Sequence, residues 1–292
     1  MFAFRVLPLR SSNTSLKIKR KFDTTLTLGR SFAFTMKPDL IGSWMREAMY
    51  SKADLHIHTH ISDGLMTPEA LVEHVAFKTD LKVIAVTDHD AVEGAHIARA
   101  YAQQFAADFR GLEVVIGAEV SSADCDILAL FIERDIPSGL SAAETIARIH
   151  AQGGLAVAAH PFAFMLPLVG ISGMTGARRL IQKLPFDAVE ARNATPTELF
   201  TNPLTHFINR RGQNLPEVGG SDTHYLPTVG SAHTIFPGTT AQDLRRALET
   251  GQVRAGGHIY NPLLIFNLAF DTLFNRLPVK KVLNAPLGSH AD

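Results

Sequence analysis

The chain has 292 residues, of which 46% are hydrophobic and 19% are charged, and its 28 Lys and Arg residues balance its 28 Asp and Glu residues. This composition is that of a globular protein long enough for one large barrel or two smaller domains, and its neutrality does not favour a general nucleic-acid-binding surface. The single cysteine, Cys125, excludes a disulfide framework and a cysteine-based zinc site within one chain. No apolar run reaches the length of about 18 residues that predicts a membrane span.

Basic charge is concentrated in the first part of the chain. Residues 1–35 carry seven basic residues against one acidic residue, Asp23, and are rich in Ser and Thr. This composition is typical of an organellar transit peptide, and it equally fits translated upstream sequence, because a more conventional run begins at Met36. We predict that residues 1–40 form a disordered basic extension outside the fold. We also expect a cytoplasmic protein, or an organellar one only if residues 1–35 are a genuine transit peptide.

The first predicted strand carries two histidines on one face. In residues 53–64, apolar side chains alternate with His56 and His58. Residues two apart on a strand share a face, so both imidazoles point the same way, which suits a metal ion. A Ser-Asp-Gly turn follows and places a carboxylate, Asp63, just past the strand. Taken alone, the pattern also fits a histidine-rich surface strand.

Strands and helices then alternate along the chain. Further strands are predicted over residues 82–87, 114–120, 126–131, 155–159, 186–192 and 216–220, and helices from 67, over 92–109, 141–151 and 177–184, from 195, and over 240–251. Repeated βα units imply a parallel sheet, either doubly wound or closed as a barrel. We expect residues 252–292 to pack on this domain, although their apolar stretch 263–274 also fits a docking helix or a dimer contact.

Polar, metal-competent side chains follow nearly every predicted strand. They are His56 and His58, Asp88 and His89, Glu119, Asp126, His160, Glu190, and Asp222 with His224. A barrel gathers the carboxyl ends of all its strands around one mouth, whereas an open sheet gathers only those at its switch point. The distribution therefore favours a barrel.

The candidate ligands also indicate a class of metal and of reaction. A set of His with Asp or Glu and no Cys favours Zn, Mn or Fe over a Mg or Ca site formed only by oxygens. More than six candidates exceed the ligands that one tetrahedral ion needs, so we expect a cluster of at least two divalent ions. Phosphoryl transfer is the commonest use of such clusters.

The ordered motifs resemble those of the PHP (polymerase and histidinol phosphatase) family. The matching residues are His56-x-His58-x-x-x-Ser62-Asp63-Gly64, Thr87-Asp88-His89, Glu119, His160-Pro161 and Gly220-Ser221-Asp222-x-His224. The resemblance implies an α/β fold, a distorted (β/α)7 barrel over residues 50–251 with two or three metal ions at the carboxyl ends of the strands.

The resemblance also implies a ligand set. It assigns one metal to His56, His58, Glu119 and Asp222, a second to Asp63, His89 and His224, and a third to Glu119, His160 and the residue at position 126. The family usually places a histidine at that last position, where this chain has Asp126. Because aspartate is a shorter and harder ligand than imidazole, the departure affects the occupancy or the metal preference of the third site.

Further residues are predicted to serve catalysis or substrate binding. The catalytic candidates are Asp63, His89 and Asp88, the last as an acceptor that orients a ligating imidazole. The substrate-binding candidates are His60, Arg192 and Asn193, with Arg178 and Arg179 as further choices for a phosphate clamp.

These features predict a metal-dependent phosphoesterase. Its substrate would be a small phosphomonoester, or the phosphate of a nucleotide or of a nucleic-acid end, attacked by a metal-activated water. An exonuclease-type phosphodiesterase uses the same chemistry, but the sequence has no basic stripe or stacking aromatics to bind a strand. The ligand pattern is also compatible with an amidohydrolase-like enzyme and with a metal-binding module without turnover. No membrane partner is expected, and the sequence leaves the oligomeric state open.

Overall fold

The computed structural model describes residues 25–28, 32–35, 50–163 and 176–261. The chain forms two compact units, Met1–Met49 and Tyr50–Asp292. In the first unit, strands β1 (Thr25–Leu28) and β2 (Phe32–Thr35) pair antiparallel, a hairpin that was not predicted. The rest of the predicted basic extension, residues 1–40, lies outside the described residues, as does the apolar stretch 263–274.

The second unit is built on one nine-stranded sheet. Its strands are β3 (Tyr50–Asp54), β4 (Leu81–Val86), β5 (Glu113–Ser121), β6 (Asp126–Leu130), β7 (Leu155–Ala158), β8 (Ala188–Asn193), β9 (Glu217–Gly220), β10 (Ala232–Pro237) and β11 (Arg254–Gly257). Their spatial order is β11-β10-β3-β4-β5-β6-β7-β8-β9. The strand order follows the chain from β3 to β9, as expected for a barrel wound in sequence.

Hydrogen bonds between distant strands bring this sheet close to closure. The Thr234 hydroxyl on β10 accepts from the Gly219 amide on β9 at 2.9 Å and donates to the Gly219 carbonyl at 2.9 Å. Just past β9, the Asp222 amide donates to the His56 carbonyl at 2.8 Å, beyond the end of β3. The end of β9 therefore returns to β3, and the predicted distorted barrel is confirmed.

Helices pack around the sheet. In the described residues, the α-helices are α1 (Pro68–Lys78), α2 (Glu93–Gln104), α3 (Ala142–Ala151), α4 (Thr201–Arg211) and α5 (Ala241–Glu249), with 3-10 segments at Arg178–Gln182, Pro196–Leu199 and Leu226–Thr228. The predicted starts at Thr67, Ser141 and Thr240 are confirmed, because each side chain accepts a backbone hydrogen bond from the first turn. No helix among the described residues is long and apolar enough to cross a membrane.

Both faces of the central strands are buried. On β4, Ile84 and Val86 belong to the hydrophobic cluster that includes α1 and α2, whereas Val83 and Ala85 belong to the cluster inside the barrel. This two-sided burial explains why the strand is a continuous apolar run rather than an alternating one.

Three features of the sheet differ from the predicted series of parallel βα units. Strand β6 runs antiparallel to both β5 and β7, because the four residues between β5 and β6 are too few for a parallel crossover. Strands β10 and β11 were not predicted, and β10 pairs antiparallel with β3. The predicted helix over 177–184 is a 3-10 segment.

Candidate metal centre

The segment after β3 places two histidines side by side at one end of the barrel. The imidazoles of His56 and His58 are fully buried, and their ring centroids lie 5.1 Å apart. The segment is held by backbone hydrogen bonds at both neighbours: the His58 amide donates to the Thr223 carbonyl at 2.9 Å, and the Thr87 amide donates to the Ile57 carbonyl at 2.8 Å. The strand periodicity therefore predicted the shared direction of the two rings correctly.

Glu119 on β5 is the centre of the group. Its Oε2 atom lies 3.2 Å from His56 Nε2, 3.3 Å from His58 Nε2 and 3.4 Å from His89 Nδ1. Its Oε1 atom lies 2.9 Å from His160 Nε2. The carboxylate is only 2% exposed, so four imidazoles from three different strand ends converge on one buried acid.

Asp222 completes this buried group from the end of β9. Its Oδ1 atom lies 3.5 Å from His56 Nε2 and 3.4 Å from His58 Nε2. Asp222 and His160 both adopt positive φ angles, of 52° and 24°, which few residues other than glycine occupy. Such strained backbone positions concentrate at functional sites, where the surrounding structure holds them.

A second, more exposed group lies beside the first. Asp63 Oδ2 is 3.1 Å from His224 Nε2 and 3.7 Å from His89 Nε2, and Asp63 Oδ1 is 3.7 Å from His58 Nδ1. The side chain of Asp63 is 55% exposed. This group therefore lies on the solvent side of the buried cluster, where an incoming ligand can reach it.

Asp126 enters the site in a different way from the other residues. It begins β6 rather than ending it, and the antiparallel direction of β6 brings that first residue to the same end of the barrel. Its side chain is buried and lies in a group with Glu119 and His160. The prediction that Asp126 belongs to this end was correct, but the reasoning from a strand's carboxyl end was wrong.

These residues fit a site for several metal ions. In four overlapping groups, each residue offers a ligand atom within 4.8 Å of the others: His58, Asp63, His89 and His224; His56, His58 and Glu119; His56, His160 and Asp222; and Glu119, Asp126 and His160. Three buried ring nitrogens, both of His58 and Nδ1 of His160, make no hydrogen bond of good geometry within the described part of the chain, although carboxylates lie 3.3 and 3.4 Å from His58 Nε2. A buried polar atom without a partner is costly, and a metal ion satisfies such a nitrogen.

The carboxylates and imidazoles stabilise each other's charge. Burial opposes ionisation of these histidines, but Asp222 and Glu119 outweigh it and raise the pKa of His58 to about 9. Glu119 likewise raises the pKa of His160 to about 10. Burial would raise the pKa of Glu119, yet the neighbouring His56 and His160 hold it well below its ordinary value. A bound cation can replace these protons, so metal binding and proton release are linked.

Glu190 and Asn193 on β8 form hydrogen bonds with His56, His160 and Asp222. Glu190 Oε1 lies 3.0 Å from His56 Nδ1, and its Oε2 accepts from the His160 amide at 2.8 Å. The Asn193 amide nitrogen donates to Glu190 Oε2 at 3.1 Å and to Asp222 Oδ2 at 3.0 Å. Asn193 is fully buried. Its side chain therefore positions Asp222 and Glu190, and its role in substrate binding stays a prediction.

Asp88 also has a different partner from the one predicted. Its Oδ1 accepts from the Thr59 amide at 2.6 Å and from the Ser62 hydroxyl at 2.8 Å, and its Oδ2 accepts from the Thr59 hydroxyl at 2.8 Å. The carboxylate is fully buried. Asp88 therefore fixes the turn that presents Asp63, rather than orienting a ligating imidazole.

The residues predicted to bind substrate lie in three different places. His60 is exposed on the turn before Asp63. Arg178 and Arg179 are exposed beside the His160-Pro161 turn, where they line a cavity of about 540 Å³ with Asp124 and Phe162. Arg192 lines a separate cleft formed with α4, and its role in substrate binding stays a prediction.

A bulge in β8 explains the position of Arg192. The pairing of β8 with β9 shifts register between Glu190 and Arg192. The extra residue puts Glu190 and Asn193 on the same side although they are three apart, and turns Arg192 to the other. A strict alternation would have placed Arg192 with Glu190, and the sequence carries no signal for the bulge.

Glu198 is a buried acid that the sequence did not single out. It lies in the 3-10 segment Pro196–Leu199 and is 1% exposed, and its Oε1 atom makes no hydrogen bond to any residue that the structure describes. Burial, helped by the charges of Glu190 and Asp222, raises its pKa to about 7 against the opposing effects of the Thr201 hydrogen bond and of His160. Its place three residues after Thr195 indicates only a helix start.

Two protein-family models match successive parts of the chain. A family model described as "PHP domain" matches residues 54–195, and one described as "PHP-associated" matches residues 209–253. The chain is 34% identical over 177 residues to the uncharacterized protein MJ1587 of Methanocaldococcus jannaschii, covering 57% of this chain and 94% of that protein.

Two further similarities cover a smaller share of the similar protein's length. The chain is 36% identical over 74 residues to a 5'-3' exoribonuclease of Haemophilus influenzae, which is 25% of each chain. Its fold is similar to that of a two-domain protein of Bacteroides vulgatus containing a predicted PHP-like metal-dependent phosphoesterase, with a TM-score of 0.57 and 19% identity. That match covers 72% of this chain and 65% of the Bacteroides protein.

Proposed function

Because the chain belongs to the PHP domain family, we propose that it is a metal-dependent phosphoesterase acting on a small phosphomonoester or on the terminal phosphate of a nucleotide or oligonucleotide. The observation that carries the proposal is the convergence of four imidazoles on the buried Glu119, with ring nitrogens of His58 and His160 that make no well-formed hydrogen bond to any described residue. Divalent metal ions, when bound, supply positive charge to phosphoryl oxygens and lower the pKa of water.

The ligand assignment that we propose is the one the family resemblance implies. His56, His58, Glu119 and Asp222 would hold the first ion, Asp63, His89 and His224 the second, and Glu119, Asp126 and His160 the third. The geometric groups support the third set directly, and they also bring His58 to the second set and Asp222 beside His160. Zn, Mn and Fe suit this mixture of imidazole and carboxylate better than Mg does. Occupancy of the third position depends on Asp126, which offers oxygen in place of imidazole nitrogen.

The remaining residues of the site orient the ligands and receive the substrate. Glu190 fixes the ring of His56 through Nδ1, so that Nε2 points to Glu119 and Asp222. Asp63 is the most exposed of these candidate ligands, and the neighbouring His224, His58 and His89 hold its pKa well below its ordinary value, so it stays ionised and able to bind a cation. Arg178 and Arg179, at the edge of the cavity beside His160-Pro161, are suited to hold a phosphate.

Metal analysis and a hydrolysis screen test the proposal together. Purified protein with Mn, Zn or Fe is assayed on p-nitrophenyl phosphate, nucleotides and 5′-phosphorylated oligonucleotides. We expect two or three divalent ions per chain and metal-dependent release of phosphate. His58→Ala should lower activity by about 100-fold or more and reduce the metal content. The control is His258→Ala, an exposed histidine outside the cluster. Absence of metal-dependent turnover in folded wild-type protein would remove the proposal.

A second candidate, cleavage at a nucleic-acid end, is favoured by the similarity to the Haemophilus exoribonuclease over 74 residues. The reaction at phosphorus is the same, and only the leaving group differs. The 5′-phosphorylated RNA and its unphosphorylated counterpart separate the two candidates. Release of nucleoside monophosphates supports cleavage of the diester, whereas release of inorganic phosphate alone supports the phosphomonoesterase.

A further inference from the structure

Tyr260 is a buried tyrosine that lies beyond both family matches, the later of which ends at residue 253. It is 4% exposed and packs with Ala194 and Ala232. Its hydroxyl donates a hydrogen bond to the Ser221 carbonyl. Because a buried hydroxyl is costly unless it is hydrogen-bonded, this bond fixes the polar end of the ring against the segment that follows β9.

The carbonyl that accepts this bond belongs to the peptide unit between Ser221 and Asp222. The amide of the same unit, that of Asp222, donates to the His56 carbonyl at 2.8 Å. The unit is therefore held at both ends, by Tyr260 on one side and by the segment that carries His56 on the other. Because a peptide unit is planar, two hydrogen bonds at its opposite ends fix its rotation.

Asp222 needs such support because its backbone adopts an uncommon conformation. Its φ angle is 52°, in the left-handed region that few residues other than glycine occupy. In this conformation its Oδ1 atom lies 3.5 Å from His56 Nε2 and 3.4 Å from His58 Nε2. A strained backbone persists only where its surroundings hold it, and the bond from Tyr260 is one of the contacts that do so.

The backbone of Tyr260 connects the same region to the end of β8. Its amide donates to the Ala194 carbonyl at 2.8 Å. Ala194 follows Asn193, whose side-chain amide donates to Asp222 Oδ2 at 3.0 Å. Tyr260 thus bonds to Ala194 with its amide and to Ser221 with its hydroxyl, and these are the neighbours of the two residues that form the Asn193–Asp222 hydrogen bond.

We propose that Tyr260 is a positioning residue for Asp222, so that the chain beyond the family matches completes the site assigned to the first ion. The inference rests on the proposed function, because it takes Asp222 as a metal ligand. Tyr260 acts through the Ser221–Asp222 peptide unit and supplies no ligand atom of its own. Without its hydroxyl, Asp222 is free to turn away from His56 and His58, which weakens the site although every ligand is still present.

Removal of the hydroxyl alone tests the inference. Tyr260→Phe is compared in the full-length chain with Tyr225→Phe, because the two rings lie 6.2 Å apart and the buried Tyr225 hydroxyl makes no hydrogen bond to any described residue. Chelator competition measures Zn affinity in protein that circular dichroism shows to be folded. Tyr260→Phe should weaken binding of one Zn ion about 10-fold or more, and Tyr225→Phe should keep the wild-type affinity. Equal affinities in the two variants would overturn the inference alone, whereas wild-type protein that binds no metal would overturn the proposed function with it.

Hydrogen exchange in the wild-type protein tests the same link without a substitution. If Tyr260 stabilises the arrangement that binds metal, then metal binding must stabilise the contacts of Tyr260 to the same extent. Zn added to metal-free protein should slow exchange of the Tyr260 amide about 10-fold or more beyond any slowing in α3 (Ala142–Ala151), which contributes no residue to the site. The same change at Tyr260 and in α3 would overturn the inference.

Discussion

The carboxylate of Glu119 lies beside four of the histidines of the site. Its two oxygens lie within 3.4 Å of ring nitrogens from His56, His58, His89 and His160. A buried carboxylate among imidazoles can share a cation between them, and without Glu119 the same imidazoles would repel one another once protonated. The chemistry of the site therefore depends on the balance of buried charge as well as on the number of ligands.

Glu198 allows this balance of charge to be measured away from the ligands. Its pKa is raised from 4.5 to about 7, chiefly by burial. Between these two pH values the unfolded chain releases a proton that the folded chain keeps, so the free energy of unfolding falls as the pH rises. In protein stripped of metal by a chelator, Glu198→Gln should raise the free energy of unfolding at pH 8 by about 2–3 kcal/mol and leave it nearly unchanged at pH 5.

Urea unfolding at the two pH values checks this expectation. The control is Glu93→Gln, which removes an exposed carboxyl from α2 and should leave the pH dependence as in the wild type. A stability gain for Glu198→Gln that is the same at pH 5 and pH 8 would contradict the assignment.

Strand β9 shows how an element is shaped by the site that it carries. Gly220 is its last residue, and a Cβ atom there would lie 2.5 Å from His56 Cβ and 2.7 Å from Glu190 Oε1. The strand must approach this closely because the next residues place Asp222 against the two histidines. Only glycine leaves room for the His56–Glu190 hydrogen bond at that distance.

Gly220→Ala should therefore weaken metal binding rather than simply loosen the strand. We expect about a 10-fold to 100-fold loss of metal affinity, because the added methyl displaces the pair that orients His56. Titration with a competing chelator measures this loss. The control, Gly212→Ala, adds a methyl that meets only the flexible Gln182 side chain, at 3.0 Å, and should keep wild-type affinity. Equal affinities in the two variants would refute the expectation.

Closure of the barrel decides whether the separate strand ends form one site. The metal-centre residues come from segments between positions 56 and 224, and they meet because β9 returns to β3 and β10. Thr234 joins the ends through both the amide and the carbonyl of Gly219, in a fully buried position. The closure is thus stabilised by hydrogen bonds that no water can replace.

Thr234→Val tests this closure with almost no change in shape. It leaves the Gly219 amide and carbonyl without their side-chain partner, and we expect the free energy of unfolding to fall by about 2–4 kcal/mol. Urea unfolding measures the change. Thr250→Val, whose hydroxyl donates to the Arg246 carbonyl at the exposed end of α5, should cost about 1 kcal/mol or less. A comparable cost at both positions would argue against a special role for Thr234.

Much of the site could be predicted from sequence because its signals are local. The two-residue spacing of His56 and His58 fixes their common direction, and the polar residues that follow apolar strands mark the end of the barrel where they collect. The cap residues Thr67, Ser141 and Thr240 likewise mark helix starts through contacts within one turn. The barrel and its ligand-rich strand ends followed from such short-range patterns, and the ordered motifs carried the resemblance to the family.

Tertiary structure alone decided how these pieces meet. The antiparallel course of β6, the pairing of β10 with β3, and the bulge that turns Arg192 away depend on hydrogen bonds between residues far apart in sequence. The same is true of the hydrogen-bond partners of Asp88 and Asn193. A sequence pattern shows which side chains can bind or bury, but the register between distant strands determines which partner each one reaches.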